Sequence, residues 1–188
     1  MPPRVVGIIL AGGLSSRMGQ NKALLPYRGG PLIEHMASLF RDLHLPLYIS
    51  GQLDSFDCIP DLVPHLGPIG GLVSAVAYLK PKEIAHALFV PVDMPLMTVD
   101  LLKNLLPHPS YDAIAYINKP LPLGLSLTPT VLQQLQILSL NPLKKNRSVQ
   151  QLIQSLHTYY LSYEAKQDPC FQNINTPQDW HTLLEATS

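Results

Sequence analysis

The feature that most restricts the fold of this chain is the apolar run Val5–Leu10, which reads VVGIIL. It has the length of a β-strand and shows no alternation of polar and apolar residues, as in strands covered on both faces of a parallel sheet. Similar strand-like runs occur at residues 47–50 (LYIS) and 86–93 (HALFVPVD). Between the first two, residues 31–43 have the apolar spacing of an amphipathic helix. Its apolar stripe consists of Leu32, Met36, Leu39 and Leu43.

This alternation of strands and helices continues to the end of the chain. Further strands are predicted at residues 111–117, 123–127 and 158–163. Further helices are predicted at residues 70–80, 98–106, 129–138, 148–156 and 175–186. Thr98 and Thr176 are predicted N-caps, and either Asn146 or Ser148 is expected to cap the helix at 148–156. The pattern predicts an α/β fold with an open, mostly parallel sheet and helices on both faces.

In such sheets, ligands bind beyond the carboxyl ends of the strands, where the strand order reverses. Residues 10–22, 50–52 and 92–95 each follow the end of a predicted strand. We therefore expect these three segments to lie together at one edge of the sheet.

Length and composition narrow the class of protein. A chain of 188 residues is of the size of a single domain. Its 13 basic and 13 acidic residues balance, so no overall charge favours nucleic acid or a membrane surface, and an anion site must be local. No run approaches the roughly 18 apolar residues of a membrane helix. Cys58 and Cys170 are far apart, a usage typical of a reduced, cytoplasmic protein without thiolate-bound metal.

The segment after the first strand, LAGGLSSRMGQNK at residues 10–22, has the composition of an anion site. Gly12 and Gly13 allow backbone N–H groups to approach a ligand closely, and Ser15 contributes a hydroxyl. Arg17 and Lys22 contribute positive charge, with no acidic residue nearby. A polyphosphate would suit this loop, although the spacing matches neither a Walker loop nor a dinucleotide fingerprint. The alternative interpretation is a glycine turn flanked by solvated basic residues.

Asp93 is a candidate magnesium ligand. It follows the apolar run at residues 86–93 and lies between Pro91 and Pro95. Mg²⁺ binds one or two carboxylates together with substrate phosphates, which fits a carboxylate beside a cationic phosphate loop. The alternative interpretation is an aspartate that caps the turn before the next helix.

A third glycine-rich segment, PDLVPHLGPIGGL at residues 60–72, precedes the helix predicted at 70–80. Gly67, Gly70 and Gly71 would let the backbone pass close to a flat ligand, so its peptide groups could contact the edge of a base. The alternative interpretation is a turn that only initiates the helix.

Together these motifs resemble those of the molybdenum cofactor guanylyltransferases (MobA-like proteins). These belong to a wider nucleotidyltransferase family with the signature L-A-G-G-x-S-x-R-M-G-x-x-K. The residues that match this signature in register are Leu10, Ala11, Gly12, Gly13, Ser15, Arg17, Met18, Gly19 and Lys22. The resemblance continues through GPIGGL, VPVDMP and NINTPQDW and so covers nearly the whole chain.

The resemblance implies a Rossmann-like fold of the nucleotide-diphospho-sugar-transferase type, with a single nucleotidyltransferase domain over residues 1–188. Residues 1 to about 100 would bind the nucleotide, and residues from about 101 to 188 would bind the acceptor. It further implies a Mg²⁺-dependent transfer of GMP from GTP to the terminal phosphate of Mo-molybdopterin, with release of pyrophosphate. Molybdoenzymes or cofactor-insertion proteins would be possible protein partners.

The resemblance also assigns roles to individual residues. The nucleotide would be bound by Leu10, Ala11, Gly12, Gly13, Ser15, Lys22, Ser50, Asp61, Gly67, Gly70 and Gly71. Ser50 stands where this family usually has an asparagine at the end of the second strand. The catalytic group would be Arg17, Lys22 and Asp93, with Asp93 as the metal ligand, and the acceptor would be bound by Arg147, Asn173 and Asn175.

Other functions compatible with these residues are cytidylyl transfer to the same cofactor and nucleotidyl transfer to a sugar phosphate or another small phosphate. A non-catalytic nucleotide-binding module that regulates a partner belongs to a different class. Arg17, Lys22 and Asp93 together favour an enzyme over such a module.

Overall fold

Strands and helices alternate along the computed structural model, which describes residues 4–12, 21–62, 66–143 and 146–187. The strands in these ranges are β1 Val5–Leu10, β2 Pro26–Tyr27, β3 Gly30–Pro31, β4 Leu47–Ser50, β5 Cys58–Ile59, β6 His86–Pro91, β7 Ala113–Tyr116, β8 Lys119–Ser126 and β9 Thr158–Leu161. The α-helices are α1 Leu32–Asp42, α2 Pro68–Leu79, α3 Val99–Lys103, α4 Pro129–Leu140, α5 Val149–Gln154 and α6 Pro177–Thr187. The predicted α/β alternation is confirmed.

Within the described ranges, seven of the strands form one sheet in the order β5-β4-β1-β6-β8-β7-β9. β1 pairs in parallel with β4 and β6, β4 with β5, and β7 with β9. β8 runs antiparallel to both of its neighbours, β6 and β7. The sheet is therefore open and mostly parallel, as the sequence predicts.

The connections place helices on both faces of the sheet. α1 connects β1 to β4 in one direction along the sheet, whereas α2 connects β5 to β6 in the other. Right-handed crossovers in opposite directions cover opposite faces. α1 lies so close to β1 that a β-carbon added at Gly7 would overlap the ring of Phe40. The buried core includes Ile8, Ile9, Phe40, Ile49, Ile69, Leu72, Phe89 and Val90.

Several boundaries differ from the prediction. α2 begins at Pro68 rather than at residue 70, because the fixed φ of proline suits the first helical position. α3 is shorter than the predicted helix at residues 98–106, although Thr98 caps it by accepting a hydrogen bond from the Leu101 N–H. Ser148, not Asn146, caps α5 through the N–H of Gln151. The chain adds the short strand pair β2–β3 and the two-residue strand β5, which were not predicted.

The strand order reverses between β1 and β6, because the chain leaves these neighbours in opposite directions. The register pairs Leu10 with both Ser50 and Pro91, so the ends of β1, β4 and β6 are level. We call this side of the sheet the carboxyl edge; it is defined by Leu10, Ser50, Ile59 and Pro91, the last residues of β1, β4, β5 and β6. In the described ranges, no helix has both the length and the apolar character needed to cross a bilayer.

Candidate active site

Three polar side chains from distant parts of the sequence meet at the carboxyl edge. The ammonium of Lys22 donates to Asn175 Oδ1 at 2.8 Å and to Asp93 Oδ2 at 3.4 Å. The Lys22 and Asp93 side chains are only 15% and 20% exposed, so this ion pair is shielded from bulk water. The structure thus brings together the predicted phosphate-binding lysine, the predicted metal ligand and one predicted acceptor-binding asparagine. We call these three residues the Lys22 cluster.

The turn after β6 positions Asp93. The Val92 N–H donates to Leu10 O at 3.1 Å, which extends the β1–β6 pairing by one residue beyond the strand. On the far side of the turn, His35 Nε2 in α1 donates to Pro95 O at 2.9 Å. Burial lowers the pKa of His35, so the neutral ring, protonated at Nε2, suits this contact. Asp93 is therefore held between two anchored backbone segments.

Burial also shapes the electrostatics of Asp93. It raises the pKa of the Asp93 carboxyl above its ordinary value, while the Lys22 ammonium opposes this increase. A shielded carboxylate is stabilised by any cation that approaches it, because the Coulomb interaction is stronger where water is excluded. This position therefore favours binding of a cation.

The segment before α6 is hydrogen-bonded to the turn that carries Asp93. The Ile174 N–H donates to Asp93 O at 2.8 Å. The N–H groups of Asn175 and Thr176 both donate to Asp179 Oδ2, at 2.9 and 2.8 Å, and the Asp179 N–H donates back to Thr176 Oγ1 at 3.1 Å. These bonds lower the pKa of Asp179, the contribution of the Asn175 N–H being the largest. This reciprocal cap at the start of α6 holds the Asn175 backbone in place.

Five of the predicted nucleotide-binding residues lie close together at the ends of β1 and β4: Leu10, Gly12, Ser50, Asp61 and Gly71. A β-carbon at Gly12 would lie 3.2 Å from Asp61 Oδ2 and 3.5 Å from Ser50 O. A β-carbon at Gly71, in the first turn of α2, would lie 2.8 Å from Ser50 Oγ and 2.9 Å from Leu10 Cδ2. The structure therefore places the Asp61 carboxylate beside Gly12 and the start of α2 against Leu10 and Ser50.

The beginning of α2 shows why glycine occurs at residue 67. Gly67 adopts φ +61° and ψ −148°, a conformation open essentially to glycine alone, and Pro68 follows at the first helical position. In the next turn of the helix, the Ser74 hydroxyl donates to Gly70 O at 2.8 Å and accepts from the Leu62 N–H at 2.9 Å. Buried Ser74 thus links the start of α2 to the residue after Asp61. The sequence analysis did not identify Ser74.

The contact of Gly71 leads to a testable prediction. In Gly71→Ala, the new methyl group would press on Ser50 and Leu10, and Ser50 is buried. We expect a loss of about 1–3 kcal/mol in the free energy of unfolding, as for other overpacked positions. Nucleotide affinity should fall as well, because Leu10 and Ser50 are displaced. Urea unfolding and calorimetric titration with nucleotide would measure the two effects.

Gly30→Ala is a matched control, because a β-carbon at Gly30 would have no neighbouring atom within 4 Å. It should change the free energy of unfolding by no more than about 0.5 kcal/mol. Equal stability and nucleotide affinity in Gly71→Ala and Gly30→Ala would contradict the close packing at Gly71.

A cleft of about 450 Å³ opens next to the turn that carries Asp93. Pro95 and Leu96 line it on the side of this turn. Gln172 and Asn173, from the segment before α6, and Thr182, from α6 itself, line the other side. The cleft thus begins two residues after Asp93 and includes Asn173, the second predicted acceptor-binding asparagine.

Gly13, Ser15, Arg17 and Arg147 are also predicted site residues. Gly13, Ser15 and Arg17 lie outside the described residues. Arg147 precedes the N-cap of α5, and its Nε is buried without a hydrogen-bond partner in the part of the chain that the structure describes. None of the contacts found there connects Arg147 to Lys22 or Asp93.

The structure also shows an ion pair near this edge, between Lys119 and Asp168, that the sequence analysis did not identify. Lys119 Nζ donates to Asp168 Oδ1 at 2.7 Å, and the Tyr163 hydroxyl donates to the same oxygen at 3.1 Å. Because β8 is antiparallel, its first residue, Lys119, lies near the end at which the parallel strands terminate. The predicted strand at residues 123–127 began four residues too late to include it.

Residues of this chain can meet the simple requirements of a magnesium site. Among the described residues, no group of three or more His, Cys, Asp or Glu side chains could enclose a metal ion. Asp93, by contrast, offers one shielded carboxylate at the carboxyl edge. This is the donor set of a metal ion held by one carboxylate and by the phosphates of a substrate rather than by a protein cage.

Comparison with known proteins agrees with this geometry. Residues 7–159 match the MobA-like NTP transferase domain. A molybdenum cofactor guanylyltransferase from Xanthomonas euvesicatoria is 38% identical over 95% of this chain and 93% of its own length. A probable molybdenum cofactor guanylyltransferase from Rhodopirellula baltica is 29% identical over 99% of this chain and 94% of its own.

Among solved structures, the fold resembles that of molybdopterin-guanine dinucleotide biosynthesis protein A from Archaeoglobus fulgidus. The TM-score is 0.77 at 20% identity, over 96% of this chain and 97% of that one. The match to the domain family covers most of the chain, and the relative from Xanthomonas covers nearly all of it. The chain therefore belongs to the MobA-like NTP transferase family and is a nucleotidyltransferase.

Proposed function

We propose that this protein transfers GMP from GTP to the terminal phosphate of Mo-molybdopterin and releases pyrophosphate, in the biosynthesis of the molybdenum cofactor. The observation that carries the proposal is the Lys22 cluster. In it, the Lys22 ammonium contacts both the Asp93 carboxylate and Asn175, a residue from the C-terminal part of the chain, at the carboxyl edge. The full-length similarity to molybdenum cofactor guanylyltransferases supports the choice of substrates.

The nucleotide would bind between the end of β1 and the start of α2. Gly12 and Gly71 let these segments pack closely together, and Asp61 lies beside Gly12. The N-terminus of α2 carries partial positive charge, which suits an anion or the oxygen of a base. In this arrangement Ser50 takes part mainly by packing between Leu10 and Gly71.

Asp93 would hold Mg²⁺ together with the phosphates of the nucleotide. When bound, Mg²⁺ supplies charge neutralisation at the phosphates. Lys22 contributes a second positive charge at the same position, and Arg17 is proposed as a third. The Asp93 turn is held by Leu10 and by His35, so these charges are positioned before the substrate binds.

The proposed reaction is a single in-line displacement. An oxygen of the acceptor phosphate attacks the α-phosphorus of GTP, a new P–O bond forms, and the bond from this phosphorus to the oxygen bridging to the β-phosphate breaks. Pyrophosphate leaves with the electron pair of that bond. The acceptor phosphate is already ionised, so the step requires positioning and charge neutralisation rather than a protein base.

The acceptor would approach from the C-terminal part of the chain. The cleft of about 450 Å³ beside Asp93 is large enough for a fused-ring compound and is lined by Asn173. Asn175 lies at the Lys22 end of the same segment. We therefore propose that residues up to about 100 bind the nucleotide and later residues bind the acceptor, with Arg147 as a further anion contact.

The experiment that tests this function is an assay of pyrophosphate release with Mo-molybdopterin, Mg²⁺ and each of ATP, GTP, CTP and UTP. We expect turnover with GTP, and loss of turnover when EDTA removes the metal. A sugar phosphate in place of Mo-molybdopterin should give none. Turnover with CTP alone would overturn the proposed base, and turnover with the sugar phosphate alone would overturn the proposed acceptor. Binding of GTP without turnover on any acceptor would favour a regulatory module.

A further inference from the structure

The shorter of the two Lys22 contacts is the one to Asn175. The Lys22 ammonium lies 2.8 Å from Asn175 Oδ1 but 3.4 Å from Asp93 Oδ2. A residue that served only the acceptor would not need to contact the lysine that serves the nucleotide. Asn175 therefore has a connection to the nucleotide half of the site that the proposed function does not use.

Asn175 is held firmly enough to position another side chain. Its own N–H is bonded to Asp179 Oδ2 at 2.9 Å, and the preceding N–H, of Ile174, is bonded to Asp93 O at 2.8 Å. The backbone of Asn175 is thus fixed on one side to the cap of α6 and on the other to the Asp93 turn. The backbone of Asn175 is therefore in place beside Lys22 before any substrate binds.

The hydrogen bond between Lys22 and Asn175 could keep the Lys22 ammonium in position when a metal ion binds to Asp93. A divalent cation at Asp93 would repel the Lys22 ammonium and weaken the longer of its two contacts. The neutral oxygen of Asn175 would then still hold the ammonium beside the phosphates. Because an ammonium has three N–H donors, holding it through one of them leaves others for substrate oxygens.

We propose that Asn175 is a positioning residue for Lys22, so that the C-terminal segment sets nucleotide affinity even before the acceptor binds. This inference rests on the proposed function, because it takes GTP as the nucleotide. It separates the roles of the two asparagines: Asn173 faces the cleft, whereas Asn175 acts through Lys22.

The test is a double-mutant cycle with the full chain, GTP, Mg²⁺ and no acceptor, in which calorimetry measures the dissociation constant. Asn175→Ala should weaken GTP binding by about tenfold, as for a hydrogen bond to a charged group. In Lys22→Met, which keeps the aliphatic stem, the further change Asn175→Ala should cost less than about twofold. The matched control Asn173→Ala should keep GTP affinity within about twofold of the wild type.

Two results of the cycle would overturn the inference alone: unchanged GTP affinity in Asn175→Ala, or the same loss in the wild-type and Lys22→Met backgrounds. If wild-type protein binds no GTP, the proposed function fails along with it. Should Asn175→Ala not fold, Asn175→Leu keeps the number and branching of the side-chain heavy atoms of asparagine but has no oxygen, and the same outcomes apply to it. Thermal unfolding of each variant identifies the folded ones.

Discussion

Asp93→Asn is expected to reduce nucleotidyl transfer by about 10³-fold, which corresponds to about 4 kcal/mol of transition-state stabilisation. The amide keeps the size of the side chain but removes the negative charge that would hold the metal ion. Because the carboxylate is shielded and its turn is anchored by Leu10 and His35, a second group could not easily take its place. The rate of pyrophosphate release at saturating GTP and Mg²⁺ measures the effect.

The same substitution should not destabilise the fold. Burial raises the pKa of Asp93, so the folded chain binds a proton there more tightly than the unfolded chain does. Ionisation of Asp93 therefore lowers the free energy of unfolding, and this penalty applies in full at pH values above the raised pKa. At neutral pH, Asp93→Asn removes the penalty, and its melting temperature should equal or exceed that of the wild type.

Asp100→Asn is the matched control, because the Asp100 side chain is exposed and its ion pair with Lys103 lies at the surface. It should change neither activity nor melting temperature appreciably. If Asp93→Asn kept transfer within about tenfold of the wild type, Asp93 would not be the metal ligand.

The elements that follow from the sequence are those with a clear hydrophobic pattern. Val5–Leu10 and, after its first residue, His86–Pro91 are apolar, and they form the adjacent parallel strands β1 and β6 in the middle of the sheet. β5 was not predicted because two residues, Cys58 and Ile59, are too few to show a period. Its strand geometry depends on pairing with β4, which is a tertiary effect.

In the candidate site, too, some features follow from the sequence and others depend on tertiary structure. Lys22 belongs to the segment that follows one apolar run, at residues 10–22, and Asp93 ends another, so the rule for parallel sheets predicts that they lie at one edge. The contact of Lys22 with Asn175, 153 residues away, depends on how α6 and the segment before it return to the sheet. Lys119 reaches the same edge only because β8 runs antiparallel, which no local pattern indicates.

Lys22→Met is expected to lower the rate of transfer per bound GTP by about 10²–10³-fold, the cost of losing one preorganised charge at a reacting phosphate. Methionine keeps the apolar stem of the lysine, so the loss can be assigned to the ammonium. Unlike Asp93→Asn, this variant should also lose about 1–2 kcal/mol of folding stability at pH 8, because the shielded Asp93 carboxylate keeps its charge without its cationic partner.

The stability effect can be separated from the effect on activity. Adding Asp93→Asn to Lys22→Met removes the unpaired carboxylate, so the double variant should regain most of the lost free energy of unfolding while remaining inactive. Lys103→Met, at an exposed lysine on α3, should match the wild type in both measurements. If Lys22→Met and the double variant were equally stable, the ion pair would be energetically neutral. The hydrogen bond from Lys22 to Asn175 would then be the contact that orders the site.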